Sequence, residues 1–275
     1  MMKFTFLGTA AAEGIPFPFC DCFTCEHARK HGGRNVRKRQ TLLINDDLLI
    51  DIGPDLYASC AQLGISLVGL NYLLVTHSHG DHFHPHNLEM RAKMFRLATE
   101  LPELTVVAGP SGWALWGGDD RAAAMRRVPL LPGKRIELAP YKIRSIPASH
   151  HPSLGDAMNY IVDDGRSKLL FASDTGIYSD EAWALLAGER FDAVIMEATL
   201  GNRQQGRNHL SFGDYEAMLG KLRESGAVTA ATKLFATHFS HQCVEPHEDI
   251  EAHFRGIGVV CAYDGLTVSL NSATH

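Results

Sequence analysis

Four side chains that can bind a metal ion crowd into the run Thr76-His77-Ser78-His79-Gly80-Asp81-His82. Imidazole and carboxylate together suit zinc, iron, nickel or manganese. Two histidines spaced i, i+2 at a strand's end can turn to one side as the strand terminates, and the Asp-His pair that follows can swing round to a second point. One ion takes three or four protein ligands, so this run alone cannot complete two sites. The missing ligands have to come from elsewhere in the chain. Histidine or aspartate stands at three further places where an apolar run stops, in Ile146-Pro-Ala-Ser-His150-His151, Phe171-Ala-Ser-Asp174 and Phe235-Ala-Thr-His238. Nearer the N-terminus, Cys20-x-Cys22-x-x-Cys25 offers three thiolates, one short of a closed tetrahedral zinc site. In Thr237-His238-Phe-Ser-His241 a second histidine follows by three residues and could supply the fourth ligand; Cys243 is its rival.

Strands are needed to deliver these residues, and the pattern supplies them. Asn71-Tyr-Leu-Leu-Val75 is a short apolar run of the kind that fills a buried strand ahead of the histidine cluster. Gln40–Ile44 and Leu48–Ile50 flank Asn45-Asp46-Asp47 as a hairpin whose second strand ends on Asp51. Further strands are expected at Lys3–Leu7, Leu104–Ala108, Arg135–Leu138, Tyr141–Ile146, Asn159–Val162, Lys168–Ala172, Ala193–Met196 and Leu234–Ala236, with two more around Asp264-Gly265. Helices are expected over Glu26–His31, from Pro54 to about Leu63, over Pro85–Leu97, over 111–126 with Gly117-Gly118 interrupting, over Ser179–Leu186, from the cap Ser211 to about Glu224, and from Pro246 onward. Thr199–Arg207 reads as a polar loop. The order is strand-rich, helical, strand-rich, helical, with no linker or fixed-period repeat, although a gross duplication is conceivable. Two sheets packed on each other with helices outside would house it as one domain over residues 1–275.

The totals narrow the function classes. The chain has 275 residues, is 45% apolar and 21% charged, and carries a net charge of −5, so no global basic field exists to grip nucleic acid. The basic run Arg34–Arg39 reads as a solvated loop. No apolar run reaches the roughly 18 residues that cross a bilayer, and the N-terminus reads as a strand and turn rather than a signal peptide. In such a chain the cysteine spacing favours metal over disulfide, and the cytoplasm is the expected location.

The His-x-His-x-Asp-His run, followed in order by His150, Asp174 and His238, resembles the signature of the metallo-β-lactamase superfamily over nearly the whole chain. That resemblance implies an αββα sandwich of two mixed β-sheets flanked by helices. It also implies a dinuclear site, with His77, His79 and His150 on one ion, Asp81, His82 and His238 on the other, and Asp174 bridging. His150 is favoured over His151 because Ala148-Ser149-His150 is similar to the family's small-polar-His pattern. Asp51 resembles the family's buried carboxylate that orders the ligand loop. Two divalent ions roughly 3.5–4 Å apart lower the pKa of a water between them from about 15.7 toward 7 and hold the oxygens of an electrophile in line.

A closer likeness is to the phosphodiesterase family that accompanies carbon–phosphorus lyase. It rests on the Gly8-Thr9 turn, the Cys-x-Cys-x-x-Cys run, Thr237-His238-x-Ser-His241 and Arg207-Asn208-His209. The likeness implies a structural zinc on Cys20, Cys22, Cys25 and His241, and zinc or manganese in the active pair. It implies catalytic roles for Asp81, Asp51 and His209, the last facing the substrate phosphate. A small phosphodiester substrate, most simply a cyclic ribosyl phosphate from phosphonate catabolism, and a homodimer belong to the same set of expectations. Gly117–Arg127 and His151–Asn159 depart from that family's pattern. Two other readings use parts of the same motifs. An accessory or binding protein of the pyrroloquinoline quinone biosynthesis type shares the cysteine site with a less complete histidine cluster. A tRNase Z-like nuclease would need an RNA-gripping arm that no long basic insertion supplies. A lactonase would leave the cysteines and His209 without a purpose.

Overall fold

A computed structural model describes residues 2–203 and 206–270 of the chain; Gln204 and Gln205, within the expected polar loop, lie outside the described residues. The strands form two sheets of seven. In the first, the strands β1 (Lys3–Gly8), β2 (Thr41–Ile44) and β3 (Leu48–Ile50) run antiparallel, and β4 (Tyr72–Leu74), β5 (Leu104–Ala108) and β6 (Met125–Pro129) then add in parallel. In the second, β7 (Arg135–Leu138), β8 (Tyr141–Pro147), β9 (Met158–Asp163) and β10 (Lys168–Ala172) run antiparallel, and β11 (Ala193–Glu197), β12 (Lys233–Thr237) and β13 (Val260–Cys261) continue in parallel. The closing strand β14 (Thr267–Ser269) crosses back to pair antiparallel with β1. Each sheet therefore passes once from antiparallel to parallel pairing.

Alternation along the strands decides the layers. Leu42, Ile44, Leu48 and Ile50 face a core between the sheets with Phe4, Tyr160, Phe171 and Phe235, while Leu43 and Leu49 face outward onto Leu56. Phe4 of β1 and Phe235 of β12 meet edge to face at 5.4 Å across the sandwich, a pairing worth about 0.5–1.5 kcal/mol beyond its buried area. On the far side, Leu170, Val194 and Met196 pack against Tyr215, Met218 and Phe254. Those three come from two outer helices, Phe212–Glu224 and His247–Arg255. Ser211 opens the first with a reciprocal capping box to Asp214. The sandwich of two mixed sheets with helices outside is the expected fold. No helix among the described residues is long and apolar enough to cross a membrane.

Two expected helices are replaced. Pro85–Leu97 holds only a helix over His86–Glu89 and a 3₁₀ turn over Lys93–Phe95. The spacing of Met90, Met94 and Leu97 suggests an apolar face, but Met94 and Leu97 are exposed; Asn87 is pinned instead to the Gly53 carbonyl at 2.8 Å. Over 111–126 the helix stops at Leu115, and Met125 starts strand β6. Asp119 folds the intervening turn by accepting from the Arg121 amide at 2.8 Å, and Asp120 takes the Trp116 indole N–H at 2.6 Å. The edge strand β6 exposes Arg126 and Arg127, so its sequence reads as polar turn.

Candidate active site

The parallel strands β3, β4, β10, β11 and β12 all end on one edge of the sandwich, and their last residues converge there with the residues that follow β8. Open sheets bind ligands in the crevice outside such strand ends. The chain arrives there under constraint. A Cβ on Gly53 would lie 2.1 Å from the Asp81 carbonyl oxygen, so the loop after β3 can pass the histidine loop only without a side chain. Asp51, Asp174 and His238 all take positive φ, of 64°, 50° and 59°. Such backbone is costly for non-glycine residues and gathers where a fold holds side chains in fixed directions.

The converging atoms form two groups. In the first, His77, His79, His150 and Asp174 each offer a ligand atom, all within 4.8 Å of one another. His79 Nδ1 stands 2.9 Å from His77 Nε2 and 3.2 Å from His150 Nε2. In the second group Asp81, His82, Asp174 and His238 converge to the same limit. His82 Nε2 lies 3.2 Å from Asp81 Oδ2 and 3.2 Å from His238 Nε2. Asp174 belongs to both: its Oδ2 faces His77 and His150 at 3.7 and 3.6 Å, and its Oδ1 faces His82 and His238 at 3.1 and 2.8 Å.

The outer nitrogens show that the donors fit divalent metal. His82 Nδ1 donates to Asp51 Oδ2 at 2.7 Å, His150 Nδ1 to the Asn208 carbonyl at 3.0 Å, and His238 Nδ1 to Thr199 Oγ1 at 2.8 Å. His77 Nδ1 meets Thr76 Oγ1 at 3.0 Å. Each bond occupies Nδ1 and leaves Nε2 as the nitrogen turned inward, the arrangement metal-ligating histidines use. Burial holds the imidazoles of His77 and His150 neutral, His150 down to about 4. Burial alone would raise the Asp174 carboxyl, but the His238 and His82 rings outweigh it and hold the group well below the usual carboxylate range. Asp51, fully buried, also accepts from the Thr76 amide at 2.8 Å and its hydroxyl at 2.9 Å, so it fixes the start of the histidine loop as well as His82.

The residues of the two open choices take different places. His150 turns into the first group, whereas His151, at φ 36°, is exposed on the cavity wall with its ring 4.9 Å from that of His79. His241, not Cys243, joins Cys20, Cys22 and Cys25 in a third group within 4.8 Å. His241 Nδ1 approaches Cys22 Sγ at 3.5 Å, and its ring stacks on Phe17. Burial would raise the Cys22 thiol, but the contact with His241 and N–H and thiol neighbours bring it down to about 7. Cys243 lines a cavity beside the two His/Asp groups.

One buried residue beside these groups escaped sequence reasoning. Glu197, the fully buried last residue of β11, accepts from His209 Nδ1 at 2.9 Å, from the Thr175 amide at 2.6 Å and from the Leu210 amide at 3.2 Å, and it takes the Thr199 hydroxyl in a short hydrogen bond. It ties together the loops carrying Asp174, His209 and His238. Its place after an apolar run is the signal that singled out Asp51, and the same rule would have found it. Burial disfavours a charged His209, yet the Glu197 carboxylate outweighs it and raises the ring to about 9. His209 lies parallel to His238 at 5.7 Å and faces a cavity of about 530 Å³ that also exposes His79, Asp81, His150, Asp174 and His238. The wall formed by Ala11 to Glu13 is fixed through Ala10, which bridges both Arg39 and Phe239, and through the Ala11 amide on the Phe239 carbonyl at 3.0 Å.

Residues 47–239 match the family model described as a beta-lactamase superfamily domain. No curated protein matches the chain by sequence. Among solved structures, a diphosphatase from the PhnP family is similar at 20% identity and a TM-score of 0.75, over 97% of this chain and 96% of that one. Zinc-bound PqqB from Methylobacterium extorquens is similar at 17% identity and a TM-score of 0.75, over 98% of this chain and 100% of its own. The short form of human tRNase Z follows at 17% identity and a TM-score of 0.66, over 98% and 99%.

Proposed function

The chain belongs to the beta-lactamase superfamily, and on that premise we propose that it is a metal-dependent hydrolase of small phosphodiesters, a cyclic ribosyl phosphate being the simplest substrate class. The observation that carries the reading is Asp174, whose two oxygens face two separate sets of imidazoles and carboxylates. His77, His79, His150 and Asp174 would hold one divalent ion, zinc or manganese; Asp81, His82, His238 and Asp174 would hold the second. Bound there, the pair would supply an activated water at neutral pH and positive charge for an anionic phosphate. The chain's own residues do the rest. Asp51 and Thr199 hold the rings of His82 and His238 so that their Nε2 atoms stay turned inward. His209, kept protonated by Glu197 and open to the cavity, is placed to stabilise charge on the phosphoryl oxygens and to give its proton to the leaving alkoxide. Cys20, Cys22, Cys25 and His241 would close around one zinc and anchor the segment bearing His238.

The test is hydrolysis of bis(p-nitrophenyl) phosphate by protein loaded with zinc or manganese. Activity should vanish with a chelator and return with metal. In His209→Ala, kcat should fall by roughly 10²–10⁴ with both ions retained. Metal loss in that variant would make His209 a ligand, in line with its convergence on Glu197 and His238.

A further inference from the structure

On the outer face of the first sheet lies a second cavity, also of about 530 Å³, that shares no residue with the one at the strand ends. It opens between the helix Leu56–Leu63, the loop that precedes β4 and the broken stretch after Pro85. Leu56, Leu67, Leu70, Met90, Phe95 and Leu104 give it an apolar lining. Tyr57, Val68 and Phe95 are half-exposed along its walls, so it is open to solvent. Its volume falls within the roughly 300–1,000 Å³ of small-molecule sites, which are mostly apolar with a few polar groups placed to orient the ligand.

The charged residues of the lining are two arginines, Arg91 and Arg96. Arg91 donates through Nε to the Ala123 carbonyl at 3.1 Å and through Nη2 to the Pro102 carbonyl at 2.9 Å. Its Nη1 meets no acceptor, and the side chain forms no ion pair, among the described residues. Arg96 donates through Nε to the Arg91 carbonyl at 3.2 Å and through Nη1 to the Thr99 carbonyl, and its carboxylate neighbour is the exposed Glu100 at 3.6 Å. Burial draws the Arg91 guanidinium down to about 10, and the Arg96 charge adds to that pull. Carbonyls orient a guanidinium without cancelling its charge, so an apolar cavity is left with a cationic side.

We propose that this cavity binds a single-chain amphiphilic anion, with its alkyl chain along Leu56, Leu67, Leu70 and Leu104 and its anionic head on Arg91 and Arg96. The chain would gain about fourfold in affinity for each methylene taken out of water, and the head would bring Arg91 the acceptor oxygens that its Nη1 lacks. A neutral chain would dehydrate the arginines without replacing their water, and a bare anion would leave the apolar walls wet. The site stands apart from the hydrolase reading and does not depend on it.

The probes are decanoate and decyl phosphate, two anionic heads on one chain, compared by calorimetry with octanoate, 1-decanol and acetate, each below its micellar concentration. Both ten-carbon anions should bind at one site per chain with a negative heat-capacity change, and the tighter of them names the head. Octanoate and 1-decanol should each bind at least about tenfold more weakly than decanoate, and acetate should give no measurable heat. Arg91→Gln should bring decanoate to within about threefold of 1-decanol. Because Arg91 also ties down two carbonyls, a second variant leaves it in place: Val68→Trp, on the half-exposed wall, should fill the cavity and weaken decanoate by about tenfold or more with the circular dichroism spectrum unchanged. Equal affinity for decanoate, decyl phosphate and 1-decanol overturns the site, as does decanoate binding to Val68→Trp within about twofold of wild type. A wild-type protein that binds none of the chains also overturns it; self-association that Val68→Trp abolishes would then assign the cavity to a contact between two copies.

Discussion

The two places where this chain gathers metal-binding side chains differ in donor type, exposure and shape. The His/Asp pair of clusters is built from imidazole and carboxylate, has Asp174 in common, and opens on a cavity of about 530 Å³. The cysteine cluster has three thiols and one imidazole, enough for a closed tetrahedron, and its members do not line that cavity. Donors that leave room for a further ligand go with chemistry, and a full soft set goes with architecture. Both nevertheless draw on one peptide segment, since His238 serves the first and His241 the second.

The contrast can be broken in three ways. Asp174→Ala should act most strongly, because it removes a donor from both His/Asp clusters at once. Turnover should fall well beyond the roughly 10–100-fold that loss of a supporting group costs, and metal analysis should show both ions lost while the cysteine-site zinc stays. If a single ion is lost, Asp174 does not bridge. Next comes Asp51→Asn, which keeps the shape of the group but removes the charged acceptor of the His82 ring. Affinity for the active-site metal should drop by about 10–100-fold, read from titration of the metal-stripped protein. Cys22→Ser should have the smallest effect on chemistry and the larger one on folding. One equivalent of zinc should disappear and Tm should fall by several degrees, as expected for about 2–4 kcal/mol in a chain of this size, while kcat per remaining active-site pair changes by less than about tenfold. An unchanged zinc content would remove the structural site.

Much of this was legible because the candidate ligands sit where strands end, and strand ends are marked by a break from apolar to polar residues. His77, His79, Asp81 and His82 follow β4, and Asp174 and His238 stand just beyond β10 and β12, as the spacing implied. What the sequence hid was hidden for physical reasons. Strand β6 is an exposed edge whose Arg126 and Arg127 face water, so it carries no apolar alternation. The spacing after Pro85 suggests a helix, but Met94 and Leu97 are exposed. His150 and His151 differ by backbone direction, which composition does not encode. Glu197 ligates nothing in the two clusters and acts through partners at positions 175, 199, 209 and 210, so only the folded chain shows what it joins.

The bridges that Ala10 makes to Arg39 and Phe239 hold one side of the cavity between two strand-like neighbours. A wall secured on both flanks is no gate. On that side the cavity has a wall already in place, and a ligand would meet it without any loop there having to close.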